Sequence, residues 1–181
     1  PSSITLRGHA IMNQTRALIE EQGFEVIYGD TDSIFVWLNR KASNSEADSI
    51  CRHLSVHVTQ WWKTHLAEQF QLQSALELEY ENHYTTFLMP TIRGSAQGTK
   101  KRYAGLIETP DSTPPYKLIF KGLESVRTDW TPLAREFQKS LYERIFLGQP
   151  YTEYILEIIK EIREGQHDSK LMYRKRLRRK L

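Results

Sequence analysis

With one cysteine, Cys51, in 181 residues, the chain cannot close an internal disulfide or build a zinc site from several thiolates. That scarcity fits a reducing compartment such as the cytoplasm. Long apolar runs are missing as well. None approaches the roughly 20 residues that a membrane-spanning helix needs, so no membrane partner is expected. No signal peptide leads the sequence, which starts Pro-Ser-Ser without a methionine and passes directly into a helical pattern. Such a start is expected of a piece cut from a longer protein. No internal repeat is visible.

What is present is an ordinary globular mixture. Hydrophobic residues make up 39% and charged residues 26%, enough apolar material for one large domain or two small ones. Net charge is +3, but the ending "YRKRLRRKL" holds six of the cations: Arg174, Lys175, Arg176, Arg178, Arg179 and Lys180. Without them, 19 bases face 22 acids. The body is mildly acidic and the end is a basic tail. Clustered cations of this kind neutralise phosphates, and they equally suit a solvated terminus.

Periodicity predicts an α+β fold. Ile4, Gly8, Ile11, Thr15 and Leu18 recur at helical spacing, and Gly23 is placed to end that helix. Residues 24–38, "FEVIYGDTDSIFVWL", read as strand, turn and strand. A second helix follows from about Ser45 to Phe70, with Ala47, Ile50, Cys51, Leu54, Val58, Trp61 and Trp62 along one face. His53, His57 and His65 lie on or beside that face, but no third ligand of suitable type accompanies them, and a packed helix is the better reading. "ALELEYEN" alternates strictly and predicts a half-buried strand, its glutamates outward. "RGSAQGTKK" is a flexible, cationic Gly/Ser segment. "RYAGLI" and "YKLIFKG" predict two more strands around the Pro-rich loop "ETPDSTPP". Thr131-Pro132 then opens a helix, "LGQP" breaks it, and a further helix runs to Gly165. A subdomain boundary is expected near residues 122 to 130.

Asp30 and Asp32 stand at the tip of the predicted hairpin, and the next base along the chain is Arg40. Like charges so placed repel. Divalent cations relieve that repulsion, and hard carboxylate oxygens suit Mg²⁺, which takes one or two protein carboxylates and keeps positions for water and phosphate. Two such ions about 4 Å apart serve phosphoryl transfer. An Asp-x-Asp alone also suits a solvated turn. The longer "YGDTDS" (Tyr28 to Ser33) says more.

It resembles the third polymerase motif of the family B DNA polymerases, in their palm domain. "KKRYAG" (Lys100 to Gly105) resembles the palm motif that follows it, and "KGLESVRTDWTPLA" (Lys121 to Ala134) resembles the passage from palm into thumb. "FLMPTIRG", "VRTDWTPLA" and "YRKRLRR" are most similar to a bacterial branch of the family. The resemblance covers nearly the whole chain. It implies a palm-type sheet with packed helices over residues 1–122, followed by the first part of a helical thumb over 123–181. Asp32 is implied as the main metal ligand and Asp30 as its close partner, holding two Mg²⁺ ions in the intact enzyme. Lys101 and Tyr103, supported by Lys100 and Arg102, are implied to grip the primer-template duplex. Lys121 and Arg127 are implied as phosphate contacts, joined by Arg174, Lys175, Arg176, Arg178 and Arg179 of the tail. Glu77 and Glu79 are accessory acids at most, since an exposed charged face serves as well.

The family's first metal motif, its fingers helix and its exonuclease domain are not in this sequence. The chain is therefore expected to be inactive alone, binding Mg²⁺ weakly, and to need the remainder of the polymerase chain, primer-template DNA and a deoxynucleoside triphosphate. A bacterial cytoplasm, near the nucleoid, with replication or repair synthesis as the task, is what the resemblance suggests. Two alternatives stand beside it. One is a non-catalytic nucleic-acid-binding module that uses the basic tail; the other is a nucleotide cyclase on a similar palm, which leaves "KKRY" without a role.

Overall fold

The computed structural model describes residues 2–91 and 101–173, and the chain is mixed α+β. It divides into two compact units between His83 and Tyr84. The passage at 122–130 lies inside the second unit, where helix α3 packs against the turn just before it.

In the first unit, helix α1 (Ser2–Glu21) leads into an antiparallel hairpin of β1 (Glu25–Asp30) and β2 (Ser33–Trp37), and helix α2 (Asn44–Phe70) crosses behind. Gly23, at φ +85°, turns the chain out of α1 as expected. Ser43 caps α2 through a full capping box: its hydroxyl accepts from the Glu46 N–H, and the Glu46 carboxylate accepts from the Ser43 N–H. Leu18 and Ile19 of α1, Val26 of β1 and Leu54, Val58 and Trp62 of α2 form the core. Burying each aliphatic side chain stabilises the unit by roughly 1.5–3 kcal/mol. A buried polar link ties α2 to α1: the Trp62 indole N–H donates to Thr15 Oγ1 at 3.0 Å. The apolar stripe of α1 is buried only in its second half; Ile4 stays 77% exposed.

"ALELEYEN" departs from expectation. Its alternation holds, with Leu76 and Leu78 packed on the core and Glu77 and Glu79 exposed. Yet residues 71–84 form no strand, because β1 and β2 pair only with each other among the described residues. The segment is instead an extended strip along α2, fixed where the Leu78 N–H donates to Thr59 Oγ1 and where His83 meets Asn44. Alternating burial needs only one apolar surface to lie on, whereas a strand needs a partner backbone.

The second unit is built on an antiparallel sheet of β3 (Thr86–Leu88), β4 (Tyr103–Glu108) and β5 (Tyr116–Lys121). A single 3-10 turn, Glu124–Val126, connects it to helix α3 (Pro132–Phe146), followed by helix α4 (Thr152–Arg163). Thr131 caps α3 through the Ala134 N–H, with proline at the first helical position as its sequence predicts. Strand β4 is the buried centre: Tyr103, Ala104 and Leu106 are enclosed, with Leu123 and Leu133 below. Helices α3 and α4 meet through Phe137 stacked on Tyr154, while the Arg144 guanidinium sits over the same Tyr154 ring. None of α4 is fully buried, and Leu156, Ile159 and Ile162 remain exposed.

Candidate active site and nucleic-acid interface

The position of Asp30 depends on a β-bulge. Val26 pairs with Val36 and Tyr28 with Phe35, so Ile27 has no partner in the ladder. Directly paired residues share a face of a sheet, whereas successive residues alternate. Val36 and Val26 face the core, so Phe35 faces away and takes Tyr28 with it. Beyond the bulge, Gly29 pairs with Ile34 on the core side, near Met12. Asp30, in phase with Tyr28, therefore stands on the outer face. Without the extra residue, strict alternation from Val26 would aim Tyr28 and Asp30 at the core. Re-aiming a side chain is what a bulge does.

The turn itself is tight. Asp30 pairs with Ser33, leaving Thr31 and Asp32 as the two-residue tip. Thr31 has φ +51°, a left-handed conformation that is costly for a β-branched residue. The Asp32 N–H donates to the Asp30 carbonyl at 2.5 Å. Each carboxylate also receives a neighbouring hydroxyl: Thr31 Oγ1 donates to Asp30 Oδ1 at 3.0 Å, and Ser33 Oγ lies 3.4 Å from Asp32 Oδ1. Asp32 is exposed and Asp30 half-buried. This donor set of two hard carboxylates on one short turn fits Mg²⁺. Among the described residues no group of three or more His, Cys, Asp or Glu gathers for metal binding. Glu77 and Glu79 are thus not brought into a cluster with the Asp pair. Of the histidines on α2, His65 stacks on Trp61 and His57 approaches Gln22. Burial, and secondarily Asp48, pushes the Cys51 thiol up, away from a reactive thiolate.

In the second unit the two basic motifs, distant in sequence, become neighbours. Tyr103 at the start of β4 pairs with Lys121 at the end of β5. Gly122, at φ +61°, lies so close to the Lys101 carbonyl that an added Cβ would meet it at 2.1 Å. Lys101 is itself left-handed at φ +63°. The chain thus crosses over Gly122 and presents Lys101 and Lys121 as exposed side chains at one end of the sheet.

The other predicted contacts are placed differently. Tyr103 is only 8% exposed, its ring packed against Tyr84 and Phe87. That packing depends on Gly105, where a Cβ would strike the Tyr84 ring at 2.2 Å. Arg102 is ion-paired with Glu124. Arg127 makes a fork onto Asp129, with contacts of 2.9 and 2.6 Å, which raises its pKa further. Lys100 and the tail residues Arg174, Lys175, Arg176, Arg178 and Arg179 lie outside the described residues. Sequence reasoning passed over Glu124 and Gln138, which organise this region; neither stands in a spacing that marks it.

Residues 2–178 match the family described as DNA polymerase family B, and the chain belongs to that family. Within it, the chain is similar to DNA polymerase II of Escherichia coli strain K12, at 59% identity over 180 residues, which take in 99% of this chain and 22% of that protein. The bacterial DNA polymerase II is also the branch that the wording of its motifs most resembles. More distant similarity reaches the DNA polymerase of Archaeoglobus fulgidus, 28% identical over 87% of the chain and 16% of the relative. It extends to the DNA polymerase alpha catalytic subunit of Xenopus laevis, 29% identical over 89% of the chain and 10% of the relative. The chain spans about a fifth or less of these curated relatives.

Proposed function

We propose that this chain is the C-terminal part of the palm, residues 1–122, with the first part of the thumb, residues 123–181, of a DNA-directed DNA polymerase. In the intact enzyme a primer 3′-hydroxyl attacks the α-phosphorus of a deoxynucleoside triphosphate, and pyrophosphate leaves. Asp30 and Asp32 would hold Mg²⁺, together with an acid supplied from elsewhere in the parent. When bound, the metal supplies positive charge beside the reacting phosphate and favours deprotonation of the 3′-hydroxyl. The chain's own contribution is positional. The bulge at Ile27 aims Asp30 outward, the left-handed Thr31 closes the turn, and the Thr31 and Ser33 hydroxyls orient the two carboxylates.

Lys101 and Lys121 meet the primer-template duplex. A lysine reaching the minor groove finds acceptors that all base pairs present alike, so pairing geometry can be sensed without sequence. Tyr103 supports the grip mainly from within, through its packing on Tyr84 and Phe87. Family membership supports this reading, and the observation that carries it is the Asp30/Asp32 turn standing on the outer face of a bulged hairpin. The isolated chain is inactive in primer extension, since two carboxylates are only part of a metal site.

The test is fluorescence anisotropy of the chain with a primer-template junction and with a blunt duplex, across salt. The reading predicts a junction preference that Lys101→Ala removes. Equal, steeply salt-dependent binding to both DNAs, unchanged by Lys101→Ala, is the result of a module that binds through its tail alone.

A further inference from the structure

Arg102 lies between Lys101 and Tyr103, where a cation is most simply taken for one more phosphate contact. Its guanidinium instead donates to Glu124 Oε1. The other oxygen of that carboxylate, Oε2, accepts from Gln138 Nε2 at 2.8 Å, and Gln138 Oε1 accepts the backbone N–H of Ser125 at 2.6 Å. The Glu124 side chain is 18% exposed, and Ser125 is buried. Four residues from the "KKRY" turn, the 3-10 turn and the second turn of α3 are therefore tied into one chain of hydrogen bonds. A part-buried carboxylate in such a chain is strongly held, because its loss leaves its partners unsatisfied.

We infer that Glu124 and Gln138 are positioning residues for primer-template binding. They fix Arg102 against the start of α3, so that Lys101 is presented at a set angle to the duplex. The inference rests on the proposed polymerase reading. It makes Arg102 a structural anchor, and it makes an acid beside the DNA surface favourable to DNA binding.

That last consequence gives a test by sign. Removing a negative charge near DNA by itself strengthens binding, through simple electrostatics. If Glu124 positions, Glu124→Gln instead weakens binding of the chain to a primer-template junction, by about tenfold, and lowers the ratio of junction to blunt-duplex affinity. Gln138→Ala, at unchanged net charge, weakens junction binding by about threefold. Both effects are read at temperatures well below the melting transition of each variant. Tighter junction binding by Glu124→Gln overturns the inference and shows that Glu124 merely competes with phosphate for Arg102. Unchanged affinity overturns it too. Where Glu124→Gln does not fold, Gln138→Ala decides alone, and wild-type junction affinity in that variant overturns the proposal. Wild-type junction preference and its loss in Lys101→Ala report separately on the polymerase reading, so the two failures are distinguishable.

Discussion

The two candidate regions both hold a non-glycine residue in left-handed backbone, Thr31 at φ +51° and Lys101 at φ +63°, but they are held in opposite ways. Thr31 is an exposed hairpin tip, fastened by short bonds within its own turn. Lys101 is pinned from outside, by Gly122 passing beneath its carbonyl and by the Arg102–Glu124–Gln138 chain alongside. The difference follows the tasks proposed for them. Carboxylates that hold a cation shared with substrate must project into an open site, so their support is local. A grip that senses duplex geometry needs a rigid base, so its support is drawn from strands and a helix.

Substitutions can sharpen this contrast. The largest effect on the framework is expected from Gly122→Ala, which places a methyl 2.1 Å from the Lys101 carbonyl at a positive φ. A loss of roughly 3 kcal/mol in chemical denaturation is expected, along with the junction preference. Near-wild-type stability would show that the crossing is loose. Trp62→Phe removes the indole donor to the buried Thr15 and is expected to cost about 1–3 kcal/mol without altering DNA binding. Thr31→Gly makes the opposite point at the hairpin. Relief of the left-handed threonine outweighs the extra chain entropy of glycine, so stability is held or rises by up to about 1 kcal/mol. Incorporation by the intact enzyme nonetheless falls as the turn loosens. A clear destabilisation there would contradict a strained tip.

The smallest loss of stability is expected at a helix cap. Ser43→Ala removes the cap of α2, at a cost of about 1 kcal/mol in denaturation. Bonds from the Ser43 backbone and side chain hold the Glu46 carboxyl below its ordinary value of 4.5. A lowered folded-state pKa stabilises above the unfolded value and is lost as pH falls through the folded one. The difference between wild type and Ser43→Ala is therefore expected to be full near neutrality and to shrink below about pH 4.5. A constant difference down to pH 2 would mean that Glu46 takes no part in the cap.

Much of this was legible in the residues. Helix periods, the Thr131-Pro132 start and Gly23 mark α1, α2, α3 and α4 within a residue or two, because capping and amphipathicity are local. The hairpin was legible too, but its bulge was not. An extra residue in one strand is defined by its partner, and Val26-Ile27-Tyr28, three apolar residues in a row, does not mark which of them lacks one. "ALELEYEN" failed for the related reason that alternation reports burial and not pairing. At the candidate site, Asp30, Asp32, Lys101 and Lys121 were placed by motif, and the structure presents all four at the surface or half-buried. The role of Tyr103 as packing, and of Arg102 as a partner for Glu124, needed the third dimension. Gly105 is explained only by the Tyr84 ring that rests on it.

The most direct test of the account is single-turnover nucleotide incorporation by the intact polymerase carrying Asp32→Asn, with primer-template affinity measured on the same preparation. The substitution keeps the shape of an exposed turn and removes one anionic metal ligand. The predicted result is a loss of incorporation of roughly a thousandfold or more, with DNA affinity and melting temperature close to wild type. Incorporation at near-wild-type rate would mean that the paired aspartates form only a turn, and the site proposed here would be wrong.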